Sequence, residues 1–110
     1  MNISPYSFAD GIYYRLGKRI NKKELGIILV SCKTLLTAFE NKKWQDYEVW
    51  AFIDTLIYEM KKNSFPCSFR MFYTLANSFI NCPIYNDYSE NTNTKYEQWI
   101  RDEIERLKSS

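Results

Sequence analysis

The sequence contains no histidine, and only three each of its 110 residues are glycine, proline and cysteine. The missing imidazole excludes Ser-His-Asp and Cys-His nucleophilic sites, which need a group that exchanges a proton near neutral pH. It also excludes HExxH zinc sites and the Glu-x-x-His halves of helical di-metal centres. Phosphate-cradling GxxxxGK[ST] and dinucleotide-binding GxGxxG patterns are absent too; Leu16-Gly17-Lys18 is an isolated glycine that closes a helix. So few glycines and prolines argue against a many-turned β protein.

Cys32, Cys67 and Cys82 are odd in number and show no CxxC spacing, so they suit neither a zinc site nor a disulfide framework. They point to a reduced, intracellular setting, with Cys32 a small hydrophobe inside an apolar run. The longest uncharged stretch, residues 71–86, is interrupted by Asn77, Asn81 and Pro83. It also falls short of the ~18 apolar residues that a spanning helix needs. No basic leader precedes an apolar core, because Asp10 interrupts one early. A soluble, cytoplasmic protein without cofactor or metal is expected.

What is present is helical spacing. The length suits a single domain over residues 1–110. The pattern predicts an all-α bundle of four to five helices, about 8–17, 22–40, 45–62, 67–81 and 95–108, with one long polar loop at 83–93. Ser7 with Asp10, Asn21 with Glu24 and Thr94 with Glu97 read as helix starts. Leu25, Ile28, Leu29, Cys32, Leu35, Leu36 and Phe39 form the clearest amphipathic stripe. The third segment is apolar nearly all round, with Tyr47, Asp54, Tyr58 and Lys61 as its wet edge. On the last, Glu97–Arg101 and Asp102–Arg106 are spaced for ion pairs.

Charge is uneven. Residues 1–43 hold eight Lys and Arg against three Asp and Glu, a net of +5; residues 44–110 carry a net of −3. Five cations, Arg15, Lys18, Arg19, Lys22 and Lys23, fall within nine residues at the junction of the first two helices, just after Tyr13 and Tyr14. Such a cluster can steer an acidic partner or grip phosphates. A groove-reading second helix is not expected, because residues 26–30 are too apolar to lie against DNA.

Nineteen residues are aromatic, nine of them Tyr. Tyr and Trp are favoured binding anchors, being stiff, large and polar at one end. Tyr85 and Tyr88 lie on the polar loop, and Tyr47 and Tyr58 on a helix edge, where core roles are hard to assign. Catalysis is not expected: the remaining chemistry is carboxylate-based, and Asp46, Glu48, Asp54 and Glu59 read as an exposed helix edge. The composition therefore points to a non-catalytic protein-binding module, such as an adaptor, a small complex subunit or an inhibitor of a larger assembly. Its partner sites would be Tyr47, Tyr58, Tyr85 and Tyr88 with the basic patch. The alternative is a nucleic-acid-binding protein, or a nucleoprotein subunit, using residues 15–23.

Overall fold

The computed structural model describes residues 1–82 and 92–110, excepting the side chains of 92–95. The described residues form five α-helices and no strand, the fold class that the spacing predicts. These are α1 (Pro5–Leu16), α2 (Leu25–Asn41), α3 (Asp46–Lys62), α4 (Phe69–Ile80) and α5 (Thr92–Lys108). Their contacts divide the chain into two compact units, Met1–Ala51 and Phe52–Ser110, and α3 contributes residues to each.

Helix α1 starts a turn earlier than Ser7 suggests. Ser4 is its N-cap, accepting the Ser7 backbone N–H at 3.1 Å. Pro5 occupies the first helical position, where its missing N–H costs no bond. Three helices then end in one way. The N–H of Lys18 reaches the Tyr13 carbonyl (2.9 Å), that of Trp44 reaches Phe39 (3.0 Å), and that of Phe65 reaches Met60 (2.8 Å). Each six-residue closure requires one left-handed residue, here Gly17 (φ 74°), Lys43 (φ 59°) and Ser64 (φ 54°). Only the first is announced by a glycine.

Helix α2 begins at Leu25 instead of residue 22, because Asn21 serves a turn. Its Oδ1 accepts the Lys23 N–H at 2.9 Å, and the N-cap position falls to Glu24, which makes no side-chain capping bond. Helix α3 carries a cap that the sequence reading passed over. The N–H of Gln45 donates to Glu48 Oε2 at 2.9 Å, the returning half of a capping box. At the start of α4, Ser68 accepts the Met71 N–H at 3.2 Å. Helix α5 begins at Thr92, so Thr94 lies within the helix and is not its cap.

The core of the first unit joins Phe8, Ala9, Ile12 and Leu16 of α1 to Ile28, Cys32, Leu35, Leu36 and Phe39 of α2. Trp44 and Trp50 close it, ring centroids standing 4.9 Å from Phe39 and 5.6 Å from Phe8 respectively. In the second unit, Phe52 and Phe79 stack at 4.3 Å among Leu56, Met60, Phe72 and Leu75. Ile100 and Ile104 bury the narrow apolar stripe of α5. No helix among the described residues is long and apolar enough to cross a membrane.

Candidate binding surface

The basic junction is shaped by two local closures. The left-handed turn at Gly17 stops α1, and the Asn21 turn redirects the chain into α2. Between them Lys18, Arg19, Lys22 and Lys23 all stand exposed. None of the four forms an ion pair among the described residues. Beside them lies a depression of about 430 Å³ lined by Asp10, Tyr13, Tyr14, Lys18, Arg19 and Ile20, with the Gly11 backbone. Tyr14 is 83% exposed at its edge. Tyr13 is buried, and loss of solvent, with the negative charge of Glu24, raises its hydroxyl pKa above the usual value. It is a neutral wall of the depression.

Arg15 is held differently from the other four cations. Its guanidinium carbon lies 4.3 Å from the Trp50 ring centroid, and Nη1 donates to the Gly11 carbonyl at 3.1 Å. Gly11 makes this possible: a Cβ there would lie 2.8 Å from Trp50 Cζ3 and closer still to Cη2. Arg15 therefore packs the first unit together by a cation–π contact while its neighbours face solvent.

Tyr47 and Tyr58 are both exposed, as expected of the wet edge of α3. Tyr47 Oη donates to Glu48 Oε1 at 3.4 Å in the first unit, and Lys62 Nζ stands 5.9 Å from the Tyr58 ring in the second. Tyr85 and Tyr88, with most of the expected 83–93 loop, lie outside the described residues.

The carboxylates of α3 are not all a solvated edge. Asp46 accepts the Asn2 N–H through both oxygens, at 3.2 and 3.3 Å, and Glu48 caps the helix. Glu59 is only 1% exposed. Arg101 of α5 grips it with two bonds, Nε to Oε2 at 3.2 Å and Nη2 to Oε1 at 3.1 Å. Asn63 Nδ2 adds a third at 3.2 Å. A carboxylate so fully paired is held in place by α5 and by Asn63 and is not offered to solvent. Among the described residues no three Cys, Asp or Glu side chains gather as a metal site requires. Burial pushes the Cys32 thiol up to about 12, so it stays protonated at neutral pH.

The second unit has its own groove of about 600 Å³ between α4 and α5, lined by Tyr73, Asn77, Asn81, Trp99, Glu103 and Arg106 among others. Ser78 Oγ donates to Glu103 Oε1 at 3.1 Å, and Arg106 Nε to both Glu103 oxygens at 3.1 Å. The Arg106 guanidinium, helped by Ser78, holds the Glu103 carboxyl below its ordinary pKa. The expected Asp102–Arg106 pair gives way to Glu103–Arg106, while Asp102 accepts from Gln98 Nε2 at 2.8 Å.

One surface went unread in the sequence. Ile27 and Val30 of α2 point outward although both are large aliphatics. Their positions fall off the row of Leu25, Ile28, Cys32 and Leu35, and that mismatch was the available signal. No family model, curated protein or solved structure significantly matches the chain.

Proposed function

We propose that the protein is a non-catalytic, cytoplasmic module that binds another protein bearing an acidic surface, as an adaptor, a small complex subunit or an inhibitor would. The observation that carries this reading is the basic junction, where four exposed cations form no ion pair among the described residues and two of them, Lys18 and Arg19, line a depression edged by Tyr14. Cations without internal partners steer an oppositely charged surface and set its orientation. A stiff, amphipathic tyrosine beside them supplies the desolvated anchor. The depression itself is mixed, with Asp10 and Ile20 in its wall. Such a mixed lining suits an uncharged peptide side chain, with the partner's acidic groups meeting Lys18 and Arg19 at the rim. Exposed Tyr47 and Tyr58 are further anchors in this reading, as are Tyr85 and Tyr88. Three cysteines, odd in number and without CxxC spacing, favour a reduced compartment.

The same four cations, with Tyr14 able to stack on a base, favour nucleic acid as the second reading. Titrating fluorescent DNA and RNA oligomers across salt concentrations separates the two. The protein-binding reading expects little affinity at physiological ionic strength. It further expects that nuclease-treated cell extract yields one acidic protein, lost when Lys18, Arg19, Lys22 and Lys23 become Gln. Tight oligomer binding that falls steeply with salt and vanishes in the same variant assigns the junction to nucleic acid instead.

A further inference from the structure

Helix α2 turns two aliphatic side chains away from its core. Ile27 is 74% exposed and Val30 68%, while Ile28 and Cys32 are buried. Spaced three apart, the two outward residues are neighbours on one helical face. The polar groups along this stretch are already satisfied. Ser31 donates to the Ile27 carbonyl at 3.0 Å, Thr34 to Val30 at 3.0 Å and Thr37 to Lys33 at 2.8 Å. Hydroxyls bonded back to their own helix can be covered without stranding a donor. Beside Ile27, Gly26 has nothing within 4 Å of where its Cβ would stand, so a partner can approach the backbone closely.

Charge frames the face. Lys22 and Lys23 precede it and Lys33 lies one turn beyond Val30; all are exposed and none forms an ion pair among the described residues. Glu24, exposed and one turn before Ile27, lies as near the row as Lys33, so three cations and one acid flank the face, while Glu40 lies ten residues beyond Val30. The face is therefore aliphatic at its centre and cationic on balance at its ends, with a net charge of +2 from Lys22, Lys23, Lys33 and Glu24.

We infer that this face of α2 is a docking surface for an acidic, amphipathic helix of a partner protein, with Ile27 and Val30 as its apolar anchors. The inference rests on the protein-binding reading but uses a face distinct from the Tyr14 depression. Charge complementarity selects an acidic occupant. Apolar residues one turn apart select a helix, whose own anchors recur at three and four. Bases find no aromatic ring on this row to stack upon. Membrane-lying helices present broad faces with Trp, Phe or Leu, where this one offers two β-branched residues.

The test pans a displayed library of 18-residue helical peptides against the full chain at physiological salt. Selected peptides are then titrated against the wild type, Ile27→Ser, Val30→Ser and a Lys18→Gln/Arg19→Gln variant, with thermal midpoints measured alongside. The expected winners are acidic, with apolar residues at i, i+3 and i+4. Each Ser substitution should weaken them about tenfold or more at an unchanged midpoint. Absence of enrichment, or winners indifferent to Ile27 and Val30, overturns the inference. Winners that answer only to Lys18 and Arg19 overturn it while leaving the protein-binding reading intact. Binding to phosphatidylserine vesicles, or a dimer of this chain, that is lost with Ile27→Ser also overturns it, assigning the face to lipid or to a second copy.

Discussion

The ring of Trp50 fills the space that a side chain on Gly11 would occupy. A glycine inside a helix ordinarily costs about 1 kcal/mol relative to alanine. Here it admits an indole that packs edge-on against Phe8 and carries the Arg15 guanidinium on its face. Gly11→Ala should therefore destabilise the protein by about 1–3 kcal/mol, the cost of overpacking, despite the gain in helix propensity. Urea denaturation measures this, and a more stable variant would show that Trp50 does not hold that position.

Lys43 and Ser64 adopt the left-handed conformation that Gly17 adopts, but with a Cβ. That conformation costs an L-residue roughly 1–2 kcal/mol, partly offset by the extra freedom glycine has when unfolded. Lys43→Gly and Ser64→Gly should each stabilise by about 0.5–1 kcal/mol, raising the thermal midpoint by a few degrees. A lowered midpoint would mean that these helices end differently.

Glu59 depends on Arg101 for two of its hydrogen bonds. Removing one partner of a buried pair leaves an uncompensated charge, whereas replacing both with apolar groups is far better tolerated. Arg101→Met should thus be less stable than the double variant Glu59→Leu/Arg101→Met. Equal losses in the two would mean that water reaches Glu59 and the pair is not a clamp.

Acid should loosen α5. The Glu103 carboxyl sits below its ordinary value of 4.5 because Arg106 and Ser78 stabilise the anion. A lowered folded-state pKa contributes stability above the unfolded value and loses it as pH falls through the folded one. Stability should fall with decreasing pH below about 4.5, and less steeply in Glu103→Gln, when unfolding is followed by Trp fluorescence. Parallel slopes in the two proteins would exclude Glu103 as a contributor.

The helices were legible because burial imposes a three-to-four spacing, and the stripe from Leu25 to Phe39 shows it plainly. Their ends were less so. Asn21 makes a turn by accepting the Lys23 N–H and Glu48 caps α3 by accepting the Gln45 N–H, and the pattern alone does not say which polar side chain takes a nearby backbone donor. The cationic junction was readable as five residues, but only three-dimensional packing separates Arg15, drawn onto Trp50, from the four that face solvent. Glu59 looked like one more exposed carboxylate because its partner lies 42 residues away. Ile27 and Val30 were passed over because outward aliphatics contradict the rule that periodicity relies on, a contradiction common at surfaces that await a partner.

The central claim is that the basic junction recognises an acidic protein, and site-specific photocrosslinking in living cells tests it most directly. A benzophenone amino acid replacing Tyr14 should capture one protein through an acidic peptide. The adduct should vanish when Lys18, Arg19, Lys22 and Lys23 are changed to Gln. Adducts to nucleic acid, or protein adducts that survive the loss of all four charges, would contradict the account.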